Sequence, residues 1–160
     1  MNRVSKLGLA AMCSVAAISV VLAQGPRGPA SPQQQADMAV KVRQSLFEVQ
    51  NFAFQQSVAM LKGAPFNAQT AVTTAKRVEM TTSMIPDVFM FDTSKFQENT
   101  KARDVIWTNK SDFVQKAQAA NMAAQNLEMA AMSGDEGQTK AAIGMLGKAC
   151  GNCHGQFKNK

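Results

Sequence analysis

Cys150-Gly-Asn-Cys153-His154, close to the end of a chain of 160 residues, is the run whose residue types and spacing carry chemistry. Each position in Cys-x-x-Cys-His has a mechanical job: two thiols add across the two vinyl groups of a haem, and the adjacent imidazole lies under the iron. On a helix, positions three and four apart share a face, so Cys150, Cys153 and His154 point to one side. A disulfide between the two cysteines would be strained and would staple almost nothing. A thioredoxin-like thiol pair needs a βαβ setting, and no segment here alternates apolar and polar residues. Structural zinc would need a fourth ligand from elsewhere. His154 is the only histidine of the chain. No second histidine can therefore bind the same iron, which leaves an upstream methionine, a weaker group or nothing on the far side. Methionine at helical spacing is more often core filler than ligand.

The elements that must present this motif begin after an export segment. Arg3 and Lys6 precede an apolar run from Leu7 to Leu22 that ends in Val21-Leu22-Ala23. Residues 1–23 read as a secretory signal peptide cut after Ala23, which places the mature protein in the periplasm with no membrane attachment. Cys13 leaves with it, so Cys150 and Cys153 are the only thiols of the mature chain. Residues 24–31, with two Gly and two Pro, read as a flexible leader. Residues 32–160 suffice for one domain that closes a core without disulfides. The formal charge of the whole chain is +6. It is spread along the sequence with no basic block, which argues against nucleic-acid binding and fits solubility or docking to an acidic partner.

Four helices are predicted. Ser31, Pro32 and Gln34 make a capping start, and Met38, Val42, Leu46, Val49, Ala53 and Met60 step by threes and fours until Gly63 and Pro65. A second helix starts at Asn67, carries Val72, Ala75 and Val78, and stops near Ile85 and Pro86. Pro86 to Lys101 is a long connection with too much aromatic surface (Phe89, Phe91, Phe96) to be free, so it should pack across the bundle. The third helix runs from about Arg103 to Met132 with Ile106, Trp107, Phe113, Val114, Ala117 and Met129 inward. Asp135 and Gln138 cap the fourth, which carries Ala141, Ile143, Leu146, Cys150, Cys153 and Phe157. The expected fold is all-α, an antiparallel four-helix bundle whose core buries a flat cofactor.

An exported four-helix bundle with Cys150-Gly-Asn-Cys153-His154 on its last helix resembles class II c-type cytochromes, and specifically the cytochromes c′. The likeness covers about residues 37 to 158. It also rests on Val42-Arg43-Gln44-Ser45, on Thr100-Lys101-Ala102 and on Ile106-Trp107. The resemblance implies one covalently attached haem c per chain, held by Cys150 and Cys153, with His154 as axial iron ligand. It implies that Arg43 and Gln44, with Thr100 and Lys101 nearby, contact the haem propionates or ring edge, where a fork of Arg donors suits a carboxylate. Trp107 looks like the tryptophan that packs near haem in relatives. Lys158 stands where many relatives carry Arg, keeping the charge without the planar fork, and Phe157 stands where Tyr is common.

Phe47, four residues after Arg43, occupies the point where low-spin class II relatives place a methionine ligand. Phenylalanine cannot bind iron, so the resemblance implies an apolar distal face, five-coordinate iron, and binding of a small diatomic such as NO or CO, with electron exchange as a second use. Relatives are commonly homodimers through their first two helices. Turnover is not expected, because no pair of nucleophile and base is visible and no distal polar group is evident. The strongest alternative is a low-spin electron-transfer cytochrome with Met38 or another upstream Met as sixth ligand. A further alternative is a bundle without haem.

Overall fold

The computed structural model describes residues 28–160. The expected signal peptide and the start of the leader lie outside the described residues. Four long helices, α1 (Pro32–Leu61), α2 (Ala68–Ser83), α5 (Lys110–Met132) and α6 (Glu136–Phe157), are joined with two short ones, α3 (Ile85–Val88) and α4 (Val105–Thr108). No strand occurs among the described residues; an isolated antiparallel bridge pairs Ala102 with Lys158.

The helix starts follow from local chemistry. Ser31 Oγ accepts from the Gln34 amide while the Gln34 side chain accepts from the Ser31 amide, with Pro32 in the first turn. This capping box satisfies two amide groups that the helix itself cannot. Asn67 and Asp135 accept from Thr70 N and Gln138 N in the same way. Gly63 and Gly134 take φ of 101° and 75°, a left-handed conformation that costs an L side chain, and there α1 and α5 give way to turns. The expected third helix is broken: Asn109, at φ −128° and ψ 50°, interrupts the helical path between α4 and α5. Its carbonyl still accepts from Phe113 N, so the break turns the chain without orphaning that donor.

Each long helix packs on its chain neighbours, and α1 closes onto α6. Two core clusters result. One holds Ala53, Met60, Val78, Leu127, Ile143 and Leu146, among others; the second holds Leu46, Ile85, Phe89, Ile106, Phe113, Ala117 and Phe157. The connection after Pro86 packs as expected: Phe89 is buried in the second cluster, and Phe91 lies 5.8 Å from Phe96.

The expected apolar stripe of α1 needs correction. Leu46, Ala53 and Met60 are buried, but Met38, Val42 and Val49 are exposed, and Ala36, Val40, Arg43 and Ser57 complete the buried face. The helix carries apolar side chains on two faces, and the inward one is set by the fit to α2 and α6 rather than by hydrophobicity alone. Met129 and Ala141 are likewise exposed where burial was expected. Small residues at Ala120, Ala124 and Ala131 fill the inward face of α5 and let its neighbours approach.

Leu127 is fully buried in the first cluster. Leu127→Ala should lower the unfolding free energy by about 2–5 kcal/mol, measured by urea denaturation followed by far-UV circular dichroism. A loss below about 0.5 kcal/mol would show that this end of the bundle is not tightly packed.

Candidate functional site

The second core cluster does not close completely. Against it lies a cavity of about 800 Å³, lined from α1, α3, α4, α5, α6 and the segment between α3 and α4. That is a volume suited to a ligand of cofactor size. Its floor is apolar, with Ile85, Phe89, Ile106 and Phe113, and Ala117 and Ala120 of α5 contribute only methyl groups, which leaves room. Phe113 meets Phe89 and Phe157 edge-on at centroid distances of 4.9 and 5.2 Å, a geometry that stiffens this wall.

Nine of the ten residues expected at the site line this cavity, so positions as far apart in sequence as Arg43 and Lys158 form one surface. The exception is Trp107. It packs against Phe89 at 6.4 Å, and its Nε1 is buried with no partner, but it stands behind the wall rather than on it. Trp107 thus borders the cavity only through Phe89. Phe89, which does line the cavity, takes the place between.

Helix α6 presents the motif as its spacing dictates. Cys150 packs against the first core cluster and Cys153 against the second, so the two half-buried, unbridged thiols mark the seam where the bundle opens. Burial pushes the Cys150 thiol up, and burial with the neighbouring Cys150 pushes Cys153 up to about 11. Both remain neutral thiols at neutral pH, the opposite of the activated thiolate that a redox-exchange pair requires. His154 is exposed at the mouth. Loss of hydration, then the Lys158 ammonium, lowers its pKa and favours the neutral imidazole, the form that gives a ring nitrogen to a metal.

Arg43 is the least expected in its surroundings. It is 3% exposed, its guanidinium lying 4.5 Å from the Phe89 ring centre and 5.4 Å from that of Trp107. Nε donates to Val88 O at 2.8 Å, Nη1 to Thr93 Oγ1 at 2.8 Å and Nη2 to Phe91 O. Those carbonyls follow a helix end that leaves them without partners, and the fork satisfies them. Burial lowers the Arg43 pKa, while Asp92 and Glu98 hold it up. Three of its five N–H groups are engaged, so a carboxylate at the cavity edge has the remaining two to draw on. Gln44 Nε2 donates to Asn99 O at 2.9 Å, binding the same segment to α1 farther along.

The backbone completes the rim. Arg103 N donates to Phe157 O at 3.0 Å and Asn159 N to Lys101 O at 2.8 Å, which fastens Thr100 and Lys101 beside the end of α6. Sequence reasoning missed Gln50, Phe54 and Lys116 on the lining. Gln50 and Phe54 lie three and seven residues after Phe47, so helical spacing from Phe47 would have found both.

Comparison with known proteins agrees with this geometry. The family profile for cytochrome c′ matches residues 38–158. Cytochrome c′ of Rubrivivax gelatinosus is 33% identical over 123 residues, covering 76% of this chain and 95% of that one. Among solved structures, cytochrome c′ of Shewanella frigidimarina superposes with a TM-score of 0.70 at 32% identity, covering 77% of this chain and 95% of its own. A nitric oxide complex of a cytochrome c′ variant from Alcaligenes xylosoxidans gives 0.68 at 30% identity, covering 76% and 94%.

Because three protein acceptors depend on one side chain, Arg43→Ala should destabilise the fold by at least about 2 kcal/mol. Arg43→Lys should recover only part of this, since an ammonium cannot fork. Thermal unfolding of the three proteins side by side tests it, and an Arg43→Lys variant as stable as the parent would contradict the fork argument.

Proposed function

The chain belongs to the cytochrome c′ family, and on that premise we propose that it is a periplasmic haem protein whose iron is held by His154 and open to NO or CO on the side of Phe47. Members of this family carry haem c bound covalently. The donor set here fits that group: two neutral thiols and one imidazole on a single helix face, opening into an apolar cavity of about 800 Å³. Cys150 and Cys153 would form the thioethers and His154 the axial bond. Arg43, Gln44, Thr100 and Lys101 would meet the propionates or ring edge, with Lys158 at the rim. When bound, the haem supplies an iron that changes oxidation state and takes a small ligand on its free side.

The observation that carries the open-site reading is the wall contributed by α1. Phe47 lines the cavity, and no methionine does so among the described residues. Met38, the ligand named in the low-spin alternative, is 61% exposed, and Met60, the one buried methionine among the described residues, belongs to the first core cluster. Phe47 would hold water and larger molecules away from the iron while its ring yields to a diatomic. The proposal is for reversible ligand binding and electron exchange, not turnover. Exposure of His154 at the mouth supports the exchange.

Export rests on the reading of residues 1–23. Assembly as a homodimer through α1 and α2 is supported by the exposed apolar stripe Met38, Val42, Val49 and Phe52 on α1, with Met80 and Met84 on α2.

Absorption and EPR spectra of the holoprotein should show high-spin iron, and the ferrous form should take up CO and NO. Low-spin iron indifferent to CO would overturn the reading. Phe47→Ala should raise the CO association rate constant about tenfold or more by relieving overpacking. The double variant Cys150→Ser, Cys153→Ser should leave a polypeptide that no longer stains for haem after denaturation. Retained stain would mean that attachment is elsewhere.

A further inference from the structure

The polar side chains on the cavity wall are either hydrogen-bonded or paired, or, like Glu48, Asn99, Lys101, His154 and Lys158, exposed to solvent. Arg43 donates to Val88 O, Phe91 O and Thr93, Gln44 to Asn99 O, Asn51 accepts from Gln55, and Lys116 pairs with Asp112. Gln50 is different. It lines the cavity from α1, and its Oε1 is shut off from solvent without a hydrogen-bond partner. A buried amide oxygen in that state has lost its water and gained nothing, which is uncommon and destabilising.

Its position suggests the use. Gln50 is three residues after Phe47 and four before Phe54, and all three line the cavity that also holds Cys150, Cys153 and His154 of α6. Because Oε1 is shut off, it is turned away from the open cavity, whereas Nε2 is not shut off and donates to no acceptor among the described residues. The Gln50 amide can therefore offer an N–H to whatever occupies the space beside Phe47. In a low-dielectric site such a hydrogen bond is stronger than in water.

We propose that Gln50 is the hydrogen-bonding residue of the gas site, its side-chain amide contacting the outer atom of a diatomic bound beside Phe47. The inference rests on the open-site reading above. It makes the pocket selective by polarity as well as by size: a ligand that gains negative charge at its outer atom when bound, such as NO, is held longer, and CO is affected less. The amide supplies the distal polar group that was not evident in the sequence.

The test compares holoprotein carrying Gln50 with the variants Gln50→Leu and Gln50→Ala, using CO and NO as probes. In both variants the C–O stretch of the ferrous CO complex should move to higher wavenumber. NO should dissociate about three- to tenfold faster, while CO dissociation changes less than about twofold. Gln50→Leu should be at least as stable to heat as the parent, because it removes an unpartnered buried atom. An unchanged C–O stretch together with an unchanged NO rate overturns the proposal, as does a loss of stability in both variants with the stretch unmoved, which marks a structural role. Parent holoprotein that takes up neither gas defeats the open-site reading itself, whereas parent that binds CO with no response to either variant defeats only the role of Gln50.

Discussion

A bundle of helices tends to close on itself at the density of an organic crystal, and holding about 800 Å³ of apolar-walled volume in its interior requires walls that cannot collapse inward. The two ends of this molecule solve different problems. At one end Leu127, Ile143 and Leu146 are packed to exclusion of solvent. At the other, Ala117 and Ala120 withdraw from the centre, while Phe89, Phe113 and Phe157 brace one another edge to face. Large braced rings beside small side chains keep the volume and its shape.

The segment between α2 and α5 is the weak part of such a design, because it is mostly irregular and must still form a wall. It is tied down from both sides. Arg43 reaches into it from α1 and engages Val88, Phe91 and Thr93, and the end of α6 pairs with Lys101 and Arg103 through backbone bonds. Arg43, expected to meet a haem propionate or the ring edge, holds in place the chain that walls the cavity. A charge so deeply placed is stable because it is hydrogen-bonded and lies against the faces of Phe89 and Trp107.

The site that results is chemically lopsided. Helix α6 contributes the two thiols and the imidazole, and α1 contributes bulk at Phe47 and an amide at Gln50. Under the proposed function this division separates two tasks: attachment is specified by one helix, and selection among small ligands by the other. The residue opposite the motif, Phe47, belongs to α1, which is why a haem motif alone says nothing of that side of the cavity.

The sequence by itself determined what local chemistry determines. The helix starts at Ser31, Asn67 and Asp135 were legible because an N-cap is an interaction between residues three apart. The Cys-x-x-Cys-His motif was legible because its members share one turn of one helix, and Phe47 was legible through likeness to a family. What could not be read were choices between faces and between partners. Periodicity placed Met38, Val42 and Val49 inside with Leu46, yet α1 is apolar on two sides, and packing against α2 and α6 turned Ala36, Val40 and Arg43 inward instead. Only tertiary structure assigned the Arg43 donors to a hydroxyl and a carbonyl about fifty positions away, set Trp107 behind Phe89, and left Gln50 Oε1 shut off without a partner. Each depends on atoms brought together by the closing of the bundle, and no spacing along the chain encodes where those atoms meet.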